Sequence, residues 1–278
     1  MKNIKELTLI FTLLMAPNII QANSELLLSV YQTDKASVIH KKFKPLTDYL
    51  SNKVSEISGS QTQIKLKIFK TYQEANEALV SGQVDFARFG PASYILAKER
   101  EPNIKLLAME EKKDKNRFYG YIVVKNNSSF KTLSDLKNHS FAFGNIDSTI
   151  GRYLAQAELL KANINSQALT KIAYLGRHDK VFKAVELGDF DAGSLKESTF
   201  KKLNTNKQLR VLHQFENVTK PWIARAGLDE QYYKALSQAL IQMSDQALLK
   251  KYKVTGFLPA TDNNYQYVRE GMKASASF

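Results

Sequence analysis

The chain has 278 residues, 44% of them hydrophobic, and a formal net charge of +13 at pH 7. It contains no cysteine, which excludes disulfides, thiolate metal sites, thiol nucleophiles and a lipid-modified cysteine anchor. The positive charge suits nucleic acid, anionic membranes or small anions, but the lysines are spread along the chain and no zinc-finger, basic-zipper or aromatic RNA-binding signature is present, so nucleic acid is not an expected partner.

The first residues read as an export signal. Met1-Lys2-Asn3-Ile4-Lys5 is basic, 7–15 is apolar, and Ile20-Gln21-Ala22 offers a small residue for cleavage. The apolar run is far shorter than the roughly 20 residues of a spanning helix. Residues 1–22 are expected to be a signal peptide and the remainder a soluble periplasmic protein.

From residue 25 onward, strand-like and helix-like segments alternate with short connections. Strands are expected at 26–30, 64–69, 84–88, 104–108 and 119–124, with helices at 36–53, 72–80 and 91–98. There follow a strand at 140–143, a helix after Thr149, a strand at 172–174, a helix at 179–187 and a strand at 190–192. Strands at 209–212 and 223–226 precede a largely helical tail over 229–251. The charged run 110–116 and the polar run 214–221, which ends in proline, read as two interlobe crossings. The fold class is therefore α/β, in two lobes that are each a mixed, mainly parallel sheet flanked by helices. Lobe one is expected to hold 23–112 plus 219–278 and lobe two 113–218, closing on a ligand by hinge motion.

The usual catalytic signatures are missing: no HExxH, no GxSxG, no GxxxxGK[ST] and no GxGxxG. The histidines, His40, His139, His178 and His213, have no partner histidine at metal-ligand spacing. Asp189 and Asp191 flank Phe190, where a turn from helix into strand explains them better than a metal does. Neither an enzyme nor a metal or cofactor is expected. The stretch Gly144-Asn145-Ile146-Asp147-Ser148-Thr149-Ile150-Gly151-Arg152 lies between a strand and a helix. There the unpaired N–H groups of a helix start, together with the hydroxyls of Ser148 and Thr149, suit an oxyanion. The same residues also suit a plain helix cap by Asp147 or Ser148.

A set of segments in fixed order carries a resemblance over nearly the whole chain. They are Phe43-Lys44-Pro45-Leu46-Thr47-Asp48-Tyr49-Leu50, Leu79-Val80-Ser81-Gly82-Gln83-Val84-Asp85-Phe86-Ala87, Phe89-Gly90-Pro91-Ala92-Ser93-Tyr94 and Lys131-Thr132-Leu133-Ser134-Asp135-Leu136-Lys137. Ala142-Phe143-Gly144, Ser148-Thr149-Ile150-Gly151, Arg177-His178-Asp179 and Gly188-Asp189-Phe190-Asp191-Ala192-Gly193 continue it. With these the chain resembles the periplasmic phosphate, phosphite and phosphonate binding proteins that feed ABC transporters.

That resemblance implies the type 2 periplasmic binding protein fold, a Venus flytrap with two crossover strands, and a monomer that hands a small anionic ligand to an inner-membrane ABC permease. It implies that Ser148 and Thr149 grip the oxyanion, that Gly151 lets the backbone approach closely, and that His178 is the cleft histidine. Tyr72 matches a cleft tyrosine, Phe118 the aromatic at the crossing with Tyr119 beside it, and Ser93 opens a further helix toward the cleft. Family members that bind aminoalkyl phosphonates pair the ligand ammonium with acids; Ser198 and Lys220 stand at those places here, with Glu197 adjacent. Lys220 adds positive charge instead, favouring a plain oxyanion or a phosphonate with an acidic tail. Two alternatives stay open: docking of the closed form on a histidine kinase or chemoreceptor, and capture of another small anion such as a sulfonate. Trp222, the lone tryptophan, is expected close to the hinge, where it would report closure.

Overall fold

The computed structural model describes residues 24–33, 35–113 and 115–278; the expected signal peptide, 1–22, lies outside the described residues. Strand β1 (Ser24–Tyr31) is buried throughout its C-terminal half, as its apolar run requires of an inner strand. Helix α1 (Ala36–Ser58) and β2 (Thr62–Phe69) complete a parallel β-α-β unit in which Ser24 registers with Thr62 and Tyr31 with Phe69. Ile39, Phe43, Leu46, Leu50 and Val54 recur at helical spacing and form the buried face of α1. Next come α2 (Tyr72–Val80), capped by Thr71 Oγ1, which accepts from Glu74 N–H at 3.0 Å, and β3 (Phe86–Arg88). Helix α3 (Pro91–Arg100) has proline in its first turn, where no amide donor is lost, and leads to β4 (Lys105–Glu111).

The chain then leaves the first sheet. The second is built from β5 (Arg117–Lys125), β6 (Ser140–Phe143), α4 (Leu154–Lys161), β7 (Lys171–Tyr174), α5 (His178–Leu187), β8 (Ala192–Lys196), α6 (Glu197–Leu203) and β9 (Leu209–Val218). After Thr219 and Lys220 the chain returns as β10 (Pro221–Ala224), α7 (Glu230–Ile241), α8 (Gln246–Tyr252), β11 (Gly256–Leu258) and α9 (Gln266–Ser275). The six-stranded sheet runs β11-β4-β10-β3-β1-β2 and the five-stranded one β7-β6-β8-β5-β9. Pairing is parallel for β1 with β2 and β3 and for β6 with β7 and β8, and antiparallel around the strands that follow a crossing, β5 and β10. The crossings are tied to each other and to the first sheet: Thr219 N–H donates to the Asn116 carbonyl and Glu110 N–H to the Lys220 carbonyl, both at 3.0 Å.

Several boundaries differ from the expected ones for identifiable reasons. The strand expected at 190–192 begins at Ala192, because Gly188 turns the chain at φ 89° and Asp191 is occupied in the turn, accepting from Ser140 N–H at 2.8 Å and from its hydroxyl at 2.6 Å. The polar stretch after 212 is not a crossing until Thr219. Gln214 and Glu216 face solvent while Phe215 and Asn217 are buried, the alternation of a one-sided strand. The helical tail breaks at Asp245, whose carboxylate caps α8 by accepting from Leu248 N–H at 2.9 Å.

Helix α9 does not stay with the first sheet, although it follows the return crossing. Tyr265, just before it, meets Tyr94 of α3 edge-on at 5.0 Å, while Ser275 Oγ donates to Gln156 of α4 at 2.6 Å and the Phe278 ring stands against Phe143 at 5.5 Å. Gly271 permits this packing, since a Cβ there would lie 2.5 Å from Leu154 Cδ2. The C-terminal segment thus packs on elements attached to both sheets.

Gly120 of β5 is another close approach, where a Cβ would lie 2.4 Å from the Phe215 ring and 2.9 Å from Ile150 Cγ2. Gly120→Ala is expected to lower stability by about 1–3 kcal/mol through overpacking, read as a lower urea midpoint with an unchanged m-value.

Candidate functional site

Strand β6 ends at Phe143, and the chain folds back at once into a five-residue π-helical turn, Thr149–Tyr153, ahead of α4. Gly144 and Gly151 make this possible. Gly144 N–H donates to the Gly151 carbonyl at 2.8 Å, and a Cβ on Gly151 would stand 2.9 Å from the Gly144 Cα. Ser148 Oγ accepts from Gly151 N–H at 2.9 Å, so the cap expected there exists. Thr149 Oγ1 accepts from Ala92 N–H, also at 2.9 Å. That amide belongs to the first turn of α3 in the other lobe, so two helix starts converge, each bringing unpaired donors and positive dipole ends. Both hydroxyls act as acceptors toward amides and keep their own protons to donate.

These groups lie in a cleft of about 650 Å³. On the first-lobe side Tyr31 and Tyr72 stack with ring centroids 3.7 Å apart, and the Tyr72 hydroxyl stands beside those of Tyr31 and Ser148. Burial, reinforced by Tyr31, holds the Tyr72 phenol well above its usual range, so it is a proton donor at neutral pH. Across the cleft stand His178 at the start of α5, Phe118 of β5 and Asn217 of β9. His178 Nδ1 and Asn217 Oδ1 are buried with no hydrogen-bond partner in the protein. Burial first, then the charges of Lys196 and Lys220, bring the His178 pKa down to about 3, so the ring is neutral at physiological pH.

The cleft is also strongly cationic. Lys42, Arg88, Lys196 and Lys220 line it, and Lys112 stands beside Phe118 with its Nζ 5.0 Å from the ring centroid. Lys196 Nζ lies 5.3 Å from the same centroid and Lys220 Nζ 5.5 Å from that of Tyr31. Among the described residues the one carboxylate within 4.0 Å of these five cations is Glu110, fully buried, 2.5 Å from Arg88 Nε and 4.0 Å from Lys112 Nζ. Burial works to raise the Glu110 pKa, but the charges of Arg88, Lys112 and Lys220 outweigh it and hold the carboxyl at about 2. Burial and the neighbouring cations push Lys196 and Lys220 well below the usual lysine range and Lys42 to about 8. The ammonium forms are short of counter-charge.

Of the residues picked out from the sequence, Tyr72, Phe118, Ser148, Thr149, His178 and Lys220 line this one cleft. Tyr119 does not: neighbours on a strand point to opposite faces, and it packs with Tyr121 and Phe200 on the far side of the second sheet. Gly151 acts behind the lining, through its contact with Gly144 and its bond to Ser148. Ser93 is buried under the cleft floor, its hydroxyl beside that of Tyr31. Sequence reasoning missed Arg88, Lys42, Lys196, Asn217 and Tyr31. Arg88, Lys196 and Tyr31 end β3, β8 and β1, and the rule that ligands of open α/β sheets bind beyond the carboxyl ends of strands would have found them.

The depressed lysines and histidine give two expected outcomes. With a folded pKa of about 3 against 6.5, His178 takes up its proton more readily in the unfolded chain, so stability is lost as the pH falls from 6.5 toward 3, by up to about 1.4 kcal/mol per pH unit. His178→Gln should flatten that acid slope in denaturant titrations. Lys220→Met removes an under-compensated charge and should raise the melting temperature of the ligand-free protein by a few degrees, of the order that 1 kcal/mol produces in a chain this long.

Residues 28–265 match the family model described as ABC transporter, phosphonate, periplasmic substrate-binding protein. The probable ABC transporter phosphite binding protein PhnD1 of Prochlorococcus marinus (strain MIT 9301) is 26% identical over 280 residues, covering 89% of this chain and 94% of its own. The solved structure of PhnD1 from that organism with methylphosphonate superimposes with a TM-score of 0.77 at 23% identity, over 92% of this chain and 99% of that one. XAC2383 from Xanthomonas citri, bound to chloride, gives 0.78 at 22% identity, over 91% and 97%. The two-lobed fold and the order of motifs along the sequence agree with these matches, and the chain belongs to the phosphonate periplasmic substrate-binding proteins of ABC transporters.

Proposed function

We propose that this chain captures a small phosphorus oxyanion, a phosphonate, phosphite or phosphate, in the periplasm and presents it to an inner-membrane ABC permease as a monomer. Lobe one, 23–112 with 219–278, and lobe two, 113–218, rotate about 112–116 and 219–220, with α9 limiting how far they part. The observation that carries this reading is the meeting of the Ser148 and Thr149 hydroxyls, the start of α3 and the Lys220 ammonium in one cleft. Such a set replaces the water shell of a tetrahedral anion from several directions at once. Tyr72 donates from the first lobe and His178 from the second. The phosphite and methylphosphonate attached to PhnD1 by name support a ligand of this class.

Removing one donor leaves a desolvated oxygen underpaired, at about 1–3 kcal/mol or ten- to a hundredfold in affinity. Thr149→Ala and Ser148→Ala should each weaken binding of the best of phosphite, phosphate and methylphosphonate by that factor in isothermal titration calorimetry. Unchanged affinity in both would remove the anion from this turn. Trp222 is a poor reporter for the experiment: it is fully buried between Phe86, Tyr252 and Phe257 in the first-lobe core, so its emission should shift little on closure.

A further inference from the structure

The cleft offers more positive charge and more room than one phosphoryl group uses. Its volume of about 650 Å³ is within the range of sites for drug-sized ligands, whereas a phosphoryl group is a phosphorus atom and its four neighbours. The Ser148 and Thr149 hydroxyls, which accept from amides and keep their protons to donate, and the Tyr72 phenol supply the donors for that group. Beyond them Lys196 at the end of β8 and Lys220 in the return crossing line the cleft, and among the described residues neither has a hydrogen bond or ion pair to a carboxylate.

Of the acids near the lysine end of the cleft, Glu110 is held by Arg88, Glu197 by Lys201, and Asp179, the one carboxylate among the lining residues, by Arg177 through bonds of 3.0 and 2.8 Å; Asp147 stands beside Ser148 and is not a lining residue. A ligand ammonium held beside Lys196 and Lys220 meets cations, and the one carboxylate among the lining residues, Asp179, is already paired with Arg177. A ligand carboxylate meets two lysines whose charged forms are under-compensated, and charge-assisted bonds are the strong ones.

We propose that the preferred ligand is a phosphonate whose carbon tail carries a second acidic group, the phosphonate gripped at Ser148 and Thr149 and the second acid at Lys196 and Lys220. This rests on the phosphorus-oxyanion reading above and narrows it to a substrate class. Lys196 and Lys220 are then the residues that select among phosphonates by their tails.

The test is calorimetry on the purified, leader-free chain with phosphite, methylphosphonate, 2-aminoethylphosphonate and 3-phosphonopropionate. The expected order puts 3-phosphonopropionate about tenfold or more tighter than methylphosphonate, and 2-aminoethylphosphonate weakest, one ion pair's difference in each direction. In Lys196→Met and Lys220→Met the advantage of the two-acid ligand over methylphosphonate should disappear, with circular dichroism confirming that both variants fold. If 3-phosphonopropionate binds no tighter than methylphosphonate while methylphosphonate or phosphite does bind, the two-acid proposal is overturned and the phosphorus-oxyanion reading stands. If neither these four nor phosphate binds, both fall.

Discussion

The structure is organised around one electrostatic imbalance, five cations gathered about one fully buried carboxylate, that of Glu110. Arg88 and Glu110 come from β3 and β4, strands that do not pair with each other because β10 lies between them, and their 2.5 Å contact bridges the point where the chain re-enters the first sheet. A buried pair of this kind is strongly destabilising to break, since either partner alone is an uncompensated charge. The backbone repeats the link, Glu110 N–H donating to the carbonyl of Lys220. The crossing between the sheets and the charge cluster are therefore one place.

That coincidence accounts for how ligand and closure are coupled. Lys196 comes from the second sheet, Arg88 and Lys42 from the elements of the first, and Lys112 and Lys220 from the crossings, so in the proposed closure like charge is concentrated in one cleft. An anion cancels that repulsion and favours the closed arrangement by its differential affinity for it. Short-range donors add the geometry. Thr149 and Ala92 bond across the lobes, and the Gly144 and Gly151 pair lets the loop come near enough for them to do so. Helix α9 and the C-terminal residues add a further tie through Ser275 to Gln156 and Phe278 to Phe143.

Much of this was legible in the sequence, where local chemistry dictates local structure. Tyr72–Val80 and Ser140–Phe143 were predicted to the residue; Thr71 caps the first, and glycines at 82 and 144 follow their ends. The Ser148-Thr149 turn stood out because hydroxyls and a glycine interrupt an otherwise regular strand-to-helix passage. What stayed hidden depends on distant residues. Lys196 and Arg88 are unremarkable until strand order brings the ends of β8 and β3 to one cleft, and Tyr119 lost its expected place to strand alternation that had already spent the inward position on Phe118. Helix α9 went unseen since its apolar residues, Tyr265, Val268 and Met272, find partners more than a hundred positions away.

A crystal structure of the complex with methylphosphonate tests the central claim most directly. The account predicts phosphonate oxygens within hydrogen-bonding distance of Ser148 Oγ and Thr149 Oγ1, with His178 and Tyr72 completing the shell and the methyl group directed toward Lys196 and Lys220. Phosphonate density elsewhere in the molecule, with Ser148 and Thr149 making no contact to it, would contradict the account.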